Sequence, residues 1–357
     1  MPYMRSILTL LLLEVGLLAS AAQAQAASVL ALPASLLPYN ARALVALGFL
    51  GRVAPDARTA SGQHSTKIWQ DFALNGDIQV FDLQIINAFL FIKGKVNGQT
   101  GHFMFDSGNP NRVVLNNHFL KLPAGRAAGE GSVGSGQRYS RTFYDTIDSL
   151  SLGNGLAYQK LAGIEGNSLG FLEHITPDCL GQIGFGFVDG YILKLDYTQR
   201  QLTCYRATSA RRASQDFLQG EQVVGVLTYE VRTRPGDPLV HVKVGADDFI
   251  CEFDTGQQGY VYLSEPQRQL LLAQQRLVLL AARDGDEQPC TLRGVDFGQG
   301  LKLDLHAIYV KNTHNRGLEK ALSITEPNFL SLGYAFFNQF TTIWDTQAHK
   351  MYLCQPR

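Results

Sequence analysis

Strand-like alternation of apolar and polar residues dominates both halves of the chain. Segments 90–96 and 100–105 alternate in this way on either side of Asn97-Gly98, a pair typical of a tight hairpin turn. Segments 239–244 and 249–253 flank Gly245-Ala246-Asp247 in the same manner. The pattern therefore predicts two β-hairpins, and the 35 Gly, 20 Phe and 14 Tyr of the chain suit a β-rich fold with many turns.

The two predicted hairpins belong to an internal repeat. One ends in HFMFDSGNPNRVVLN at 102–116 and the other in FICEFDTGQQGYVYLS at 249–264, with the Asp residues 254 − 106 = 148 positions apart. Related blocks follow, GQIGFGFVDGYILKLDY at 181–197 and LSLGYAFFNQFTTIWDT at 330–346. One Asp-Ser/Thr-Gly triplet is weak evidence, because ordinary composition gives it in roughly one chain in six of this length. Two triplets with matching downstream blocks indicate a duplication.

The repeat predicts two β-lobes, 71–205 with Asp106 and 222–357 with Asp254. Residues 206–221 are polar and basic and are interpreted as the linker, with the Arg-Arg pair at 211–212 exposed to solvent. The clearest helix signal begins at Ser264, where Pro266 and Gln267 complete a capping pattern, and continues to about Ala282.

The first 26 residues are interpreted as a signal peptide. Arg5 precedes an apolar stretch, and small residues at 22–26 offer a cleavage site. Residues 27–70 are either an N-terminal extension or a pro-segment. The chain is therefore expected to be exported, to the periplasm or beyond, without a membrane anchor once the signal is removed.

Composition and short motifs argue against several classes of function. The 31 basic and 31 acidic residues give no net charge that would favour nucleic acid or an anionic membrane. The five Cys residues show no C-x-x-C spacing, and the pairing is left open, although Cys204 and Cys354 occupy equivalent closing strands. H-E-x-x-H is absent from the sequence, so a metalloprotease motif has no support. GEGSVG at 129–134 fits a dinucleotide motif but lacks the following helix, so a glycine-rich hairpin tip is the better interpretation.

With these features assembled, the chain resembles the aspartic proteases over about residues 85–357. Each half resembles a retropepsin-like unit, and the two in one chain resemble pepsin. The resemblance implies an all-β, bilobal fold of the double-psi type, with few short helices. It also implies that Asp106 and Asp254 form a catalytic pair and that no metal or organic cofactor is needed.

The supporting residues are also carried over by resemblance. Ser107 and Thr255 match hydroxyl residues that hydrogen-bond between lobes, and Gly108 and Gly256 match the glycines of the catalytic loops. The apolar-Gly pairs packed behind those loops correspond to Ile183, Gly184, Leu332 and Gly333. The flap over the substrate corresponds to 131–137, including Val133, Gly134, Ser135 and Gly136.

Several positions depart from the family pattern. Asn109-Pro110 and Gln257-Gln258 stand where pepsin has a Ser or Thr that hydrogen-bonds the Asp. Val133 replaces the flap Tyr. Gln182 and Ser331 occupy a place that is usually apolar. These departures remove no catalytic group, but they leave the protonation range of the pair open.

The resemblance implies a monomeric endopeptidase that hydrolyses polypeptides through a water activated between the two Asp residues. Two other interpretations remain open. One is a non-catalytic peptide-binding protein that keeps the same fold. The other is a self-processing or highly selective protease, for which residues 27–70 would be the pro-segment.

Overall fold

The computed structural model of the protein describes residues 72–134, 136–281, 287–311 and 316–356. The proposed signal peptide and the segment 27–70 lie outside these residues, as does Ser135 of the flap. The described chain is an all-β structure with few short helices. Among the described residues, no helix has the length and apolar character needed to cross a membrane.

The strands and helices follow one another along the described chain in this order. The strands are β1 Ile78–Ile86, β2 Phe89–Val96, β3 Gln99–Asp106, β4 Val113–Asn116, β5 Arg126–Ser132, β6 Arg138–Leu152, β7 Ala157–Asn167, β8 Cys179–Gly184, β9 Tyr191–Asp196, β10 Gln201–Arg206, β11 Val223–Thr228, β12 Leu239–Val244, β13 Asp247–Phe253, β14 Gly259–Tyr262, β15 Leu277–Leu279, β16 Glu287–Asp296, β17 Lys302–Lys311, β18 Phe329–Leu332, β19 Thr341–Asp345 and β20 Lys350–Cys354. The α-helices are α1 Phe185–Val188, α2 Ser209–Ser214, α3 Glu265–Ala273, α4 Arg316–Leu322 and α5 Tyr334–Phe337. Two 3₁₀ turns span Gly170–His174 and Asp216–Leu218.

Six strands of the first half close into a ring. Strands pair in the order β2-β3-β8-β4-β7-β6, and β6 returns to β2 through Leu150, Ser151 and Leu152. The pairs β3–β8 and β4–β7 are parallel, and the β4–β8 pair between them is antiparallel. The predicted β2–β3 hairpin is present, and Asn97 and Gly98 both have positive φ, 48° and 82°, as its tight turn requires.

The second half repeats this ring strand for strand. Its order is β12-β13-β18-β14-β17-β16, closed by the β16–β12 pair. The β13–β18 and β14–β17 pairs are again parallel, and the β14–β18 pair is again antiparallel. Two parallel pairs in the same places are not dictated by a generic hairpin series, so the structure supports the duplication inferred from the sequence.

A six-stranded antiparallel sheet joins the two halves. Its order is β11-β20-β19-β9-β10-β1, and β9 meets β19 where Asp196 pairs with Thr341. Cys204 of β10 and Cys354 of β20 are three strand steps apart, which is roughly 14 Å at the usual strand spacing and too far for a disulfide.

Asp196 and Asp345 occupy equivalent positions at the ends of β9 and β19, the two strands that meet in the shared sheet. Asp196 Oδ1 accepts the N–H of Gln199 at 2.8 Å, and Asp345 Oδ1 accepts the N–H of Ala348 at 3.1 Å. Each Asp therefore closes the turn that follows its strand, which is a structural role repeated in both halves.

The segment between the halves was misjudged in one respect. Arg211 is only 8% exposed, where the sequence suggested a solvated pair. Its guanidinium lies 2.9 Å from Asp77 Oδ2 and 3.0 Å from Asp216 Oδ1, while Arg212 contacts Asp345 at 3.1 Å. Asp216 lies in the same segment, but Asp77 is 134 residues from Arg211 and Asp345 is 133 residues from Arg212, so local composition could not reveal these partners.

The predicted helix begins as expected but is shorter. Ser264 caps it by accepting the N–H of Gln267 at 3.3 Å, but the helix ends at Ala273 instead of about 282. Gln275 then adopts a positive φ of 56°, and Leu277–Leu279 pair with β16 as a strand. Local apolar content could not distinguish these two outcomes, because it does not show that 277–279 pair with 290–292 of the next strand.

Candidate active site

The two Asp residues of the repeat come from equivalent places in the two rings. Asp106 ends β3, and Asp254 directly follows β13. The residues before them, Phe105 and Phe253, are fully buried in the hydrophobic core. Successive side chains of a strand point to opposite faces, so burial of each Phe directs the following Asp away from the core.

Reciprocal hydrogen bonds join the loops that follow the two strands. The Ser107 N–H donates to Thr255 Oγ1 at 2.9 Å, and the Thr255 N–H donates to Ser107 Oγ at 3.0 Å. Thr255 Oγ1 also donates to the Phe105 carbonyl at 3.2 Å. Ser107 and Thr255 are 1% and 0% exposed, so these bonds are shielded from water. They hold the two loops in one relative position.

The loop glycines bring each backbone against the opposite carboxyl group. A Cβ at Gly108 would lie 2.8 Å from Asp254 Oδ2, and one at Gly256 would lie 2.5 Å from Asp106 Oδ1. Neither distance leaves room for a side chain. Asp254 Oδ1 accepts the N–H of Gly256 at 2.7 Å and that of Gly108 at 3.1 Å.

The two carboxyl groups are in hydrogen-bonding contact and titrate together. Burial raises the pKa of Asp106 well above its usual value, and the negative charge of Asp254 raises it further. Burial also raises the pKa of Asp254, but the N–H groups of Gly256 and Gly108 counteract that effect. The arrangement therefore favours one shared proton, held by Asp106 beside an ionised Asp254.

The apolar-Gly pairs lie behind the catalytic loops. Ile183 pairs with Phe105, Leu332 pairs with Phe253, and both are fully buried. A Cβ at Gly184 or Gly333 would collide with the carbonyl of Asn109 or Gln257, respectively. The following residues use those carbonyls: the Phe185 N–H donates to Asn109 at 2.8 Å, and the Tyr334 N–H donates to Gln257 at 3.0 Å. The glycines thus permit close packing that fixes the loops.

Gln182 contacts the site directly, although the sequence marked it only as a departure. Its Nε2 donates to Asp106 Oδ2 at 2.7 Å, and its Oε1 accepts from Asn109 Nδ2 at 3.1 Å. An amide can donate and accept at once, so Gln182 links Asp106 to the loop residue that replaces the family's Ser or Thr.

Sequence reasoning missed three charged residues near the pair. Glu252 and Asp237 are 1% and 2% exposed. Burial raises the pKa of both carboxyl groups, and the charge of Asp254 raises it further. The Arg234 guanidinium counteracts the rise in pKa of both acids. A signal for Glu252 was present, because an acid interrupts the apolar strand FICEF directly before the triplet. Asp237 and Arg234 lie in the segment before β12, whose sequence gave no indication of the site.

The predicted flap residues lie between β5 and β6. Val133 is half-buried, Gly134 and Gly136 are exposed, and the Gly136 N–H donates to the Val133 carbonyl at 2.8 Å. Burial raises the pKa of Tyr139, near the start of β6, and the charge of Arg234 partly opposes that rise. Arg234 in turn lies 3.5 Å from the Gly108 carbonyl. The turn end of the β5–β6 hairpin and the loop at Gly108 therefore share Arg234 as a charged neighbour.

Among the described residues, Glu230, His241 and Glu326 form a trio with metal-ligand spacing. The Arg232 guanidinium already lies 2.5 Å from a carboxylate oxygen of each Glu. A cation would have to displace that guanidinium, so the trio is better described as an ion-pair cluster.

Comparison with models of known protein families and with curated proteins found no match for this chain.

Proposed function

We propose that the protein is an aspartic endopeptidase with Asp106 and Asp254 as its catalytic pair. The observation that carries this proposal is the hydrogen-bonded contact of the two carboxyl groups, each brought by one half of a duplicated fold. Two buried carboxyls in contact share one proton, and such a pair supplies a general base and a general acid at the same position.

The strand pairing supports the more specific fold assignment. In each ring, two parallel pairs flank an antiparallel pair, and the triplet follows a strand of one parallel pair. We assign this arrangement to the double-psi fold of the aspartic proteases. The assignment agrees with the hydroxyl residues that cross between the loops and with the glycines behind them.

The protonation pattern gives each Asp a role. Asp254, which accepts two backbone N–H bonds, takes a proton from a bound water. Asp106 donates its proton to the oxygen of the scissile carbonyl as the water oxygen bonds to the carbonyl carbon. The proton on Asp254 then passes to the leaving nitrogen as the C–N bond breaks, and one hydroxyl of the tetrahedral intermediate returns its proton to Asp106 as the carbonyl re-forms. These steps use only the two carboxyl groups and water.

The substrate would be an extended polypeptide. The turn end of the β5–β6 hairpin and the Gly108 loop both have Arg234 as a neighbour, and we propose that backbone groups of this hairpin pair with a strand-like ligand. Val133 offers an apolar contact in place of a Tyr hydroxyl. We further propose that the protein is exported and acts as a monomer, because a single chain supplies both Asp residues.

The alternative is a peptide-binding protein that keeps the fold without catalysis. It would retain the loops and the hairpin, and binding would survive loss of either carboxyl group. A self-processing protease is the remaining alternative. N-terminal sequencing of the exported protein tests it: a start near residue 70 would support processing, and a start near residue 27 would contradict it.

The deciding experiment is digestion of an unfolded protein mixture from pH 3 to 10, with products identified by mass spectrometry. The wild type is compared with Asp106→Asn, Asp254→Asn and the exposed control Asp82→Asn. Cleavage by the wild type and the control, and its loss in both dyad variants, would support the proposal. Equal cleavage by all four proteins would refute it, and binding without cleavage would favour the alternative.

A further inference from the structure

Glu252 is a buried acid beside the catalytic pair. It lies on β13, two residues before Asp254, which directly follows that strand, so the two-residue alternation places both side chains on the same face. Leu239 and Ser331 are its direct neighbours on the adjacent strands β12 and β18. Leu239 is 1% and Ser331 0% exposed, so the carboxyl group of Glu252 lies in an environment closed to bulk water.

Two hydrogen bonds connect Glu252 to the second catalytic loop. Ser331 Oγ donates to Glu252 Oε2, and Gln257 Nε2 donates to Ser331 Oγ. Gln257 directly follows Gly256, whose N–H binds Asp254. The acid is therefore positioned by the same loop that positions the catalytic carboxyl.

The first half of the chain has no acid at the corresponding place. Met104 occupies it, 252 − 104 = 148 positions earlier, and pairs with Gln182 as Glu252 pairs with Ser331. In the first half the long Gln182 amide reaches Asp106 directly. In the second half the shorter Ser331 contacts Glu252 instead. The fold thus accepts an apolar residue here, and packing alone does not require a carboxyl group at position 252.

The charged groups facing Glu252 come from several elements. The charge of Asp254, just after the strand that carries Glu252, raises the pKa of Glu252, and Arg234 opposes that rise. Arg234 and Asp237, which also interacts with Glu252, both lie in the segment before β12. The charge of Asp106, from the first half, adds to the raised pKa of Asp237. Burial raises the pKa of Cys251, and the charge of Glu252, next to it on β13, raises it further. Neither carboxylate oxygen of Asp237 has a hydrogen-bond partner among the described residues, and Arg234 Nη1 lies 3.9 Å from one of them. Four carboxyl groups and a guanidinium thus interact here.

Burial and the charge of Asp254 set the protonation of this cluster. Burial raises the pKa of Glu252 to about 8, with Asp254 contributing in the same direction and Ser331 opposing it. Burial also raises the pKa of Asp237 to about 10, and the charge of Glu252 contributes to that rise. Glu252 is consequently neutral in acid and becomes charged in mild alkali, with the nearby Asp237 still protonated.

We propose that Glu252 is a positioning residue of the proposed protease whose charge keeps the shared proton on the catalytic pair in mild alkali. This inference rests on the proposed function. Interaction between titrating groups is reciprocal: the charge of Asp254 disfavours loss of the proton from Glu252, so an ionised Glu252 disfavours loss of the proton shared by Asp106 and Asp254. The pair then remains in its active protonation state at higher pH.

The test is the pH dependence of kcat/KM from pH 4 to 10, with a peptide taken from the products of the digestion experiment. Wild type is compared with Glu252→Gln, which keeps the shape, and Glu252→Met, which places the residue of the first half at this position. We expect both variants to match the wild type on the acid side. On the alkaline side we expect activity to disappear about one pH unit earlier, so that kcat/KM at pH 9 falls by about tenfold relative to wild type.

A second readout is independent of catalysis. The melting temperature of the wild type should fall between pH 5 and 8, because the unfolded chain releases the Glu252 proton in this range while the folded state still holds it, and this fall should be smaller in Glu252→Gln. A cleaving wild type whose alkaline limb is unchanged in both variants would overturn this inference and leave the proposed function standing. A wild type that cleaves nothing would overturn both. An equal loss of kcat/KM at every pH would also overturn it, because it would indicate a purely structural role.

Discussion

Ser107 and Thr255 each donate a backbone N–H to the other's side-chain oxygen, at 2.9 and 3.0 Å, across the boundary between the two halves of the chain. Both residues are buried, so a backbone N–H that lost its partner in this pair of hydrogen bonds could not bond to water instead. The exchange places the two triplets at a fixed separation. We infer that the carboxyl contact between Asp106 and Asp254 depends on it.

Replacement of Thr255 by Val tests this dependence. The variant keeps the shape of the side chain but removes the acceptor of the Ser107 N–H and the donor to the Phe105 carbonyl. Leaving these buried groups unpaired should cost about 1–3 kcal/mol of unfolding free energy. Urea denaturation measures that cost. Thr255→Ser keeps the hydroxyl and should lose clearly less; equal losses in the two variants would show that the lost methyl or the altered shape, and not the hydrogen bonds, is responsible.

Loss of either catalytic carboxyl should abolish peptide cleavage without unfolding the protein. An amide cannot serve as the general base or the general acid, and each role is worth about 10²–10⁴-fold in rate. Asp106→Asn should be folded, because a neutral amide replaces a carboxyl group whose charged form is already disfavoured by burial and by Asp254. Single-turnover cleavage and circular dichroism measure the two properties. A residual rate within tenfold of wild type in either variant would argue against a shared pair.

The sequence was most informative where a pattern repeats. Two hairpins and two triplets at a constant offset predicted equivalent halves, and the two strand rings agree with that prediction. Their parallel pairs could not be derived from periodicity, because a strand's alternation does not identify its partner. The same limit explains the helix after Ser264, where pairing with the next strand, β16, takes Leu277–Leu279 out of the helix.

The triplets and their glycines could be identified from local motifs, but the surrounding acids could not. Glu252 was visible as an acid in a buried strand, yet its burial and its contact with Ser331 depend on a strand about 80 residues later. Arg211 shows the opposite case: a basic segment suggested exposure, but its buried guanidinium is paired with Asp216 five residues later and with the distant Asp77. Long-range charge pairing therefore accounts for most of what the sequence did not reveal.

If the proposed function holds, Gly256→Ala should lower peptide cleavage more than it destabilises the fold. The added Cβ would lie 2.5 Å from Asp106 Oδ1, so the catalytic carboxyl or its loop must move. Moving this carboxyl group should lower kcat by about a hundredfold or more, because the two carboxyl groups must keep a fixed relative position for the reaction. The matched control is Gly153→Ala, whose nearest contact would be an ordinary 3.4 Å to the Lys93 carbonyl. Equal activity of the two variants would contradict the close approach described for Gly256.

Acid should weaken the segment that carries Arg234 and Asp237, because that segment is anchored by Arg232. The Arg232 guanidinium hydrogen-bonds Glu326 and lowers the pKa of that carboxyl from 4.5 to about 2. A lowered pKa in the folded state contributes stability that is fully present above the unfolded pKa and is lost as pH falls through the folded pKa. The contribution is at most about 3 kcal/mol, and it should disappear between about pH 5 and pH 2.

Urea denaturation of the wild type and Glu326→Gln at pH 7, 5, 3 and 2 measures this contribution. The variant should be less stable than the wild type at pH 7, and the difference should shrink toward zero at pH 2. Glu173→Gln serves as a control, because Glu173 instead accepts hydrogen bonds from His118 and Asn116 in the first half. A difference for Glu326→Gln that stays constant from pH 7 to pH 2 would show that the ion pair with Arg232 does not stabilise the segment.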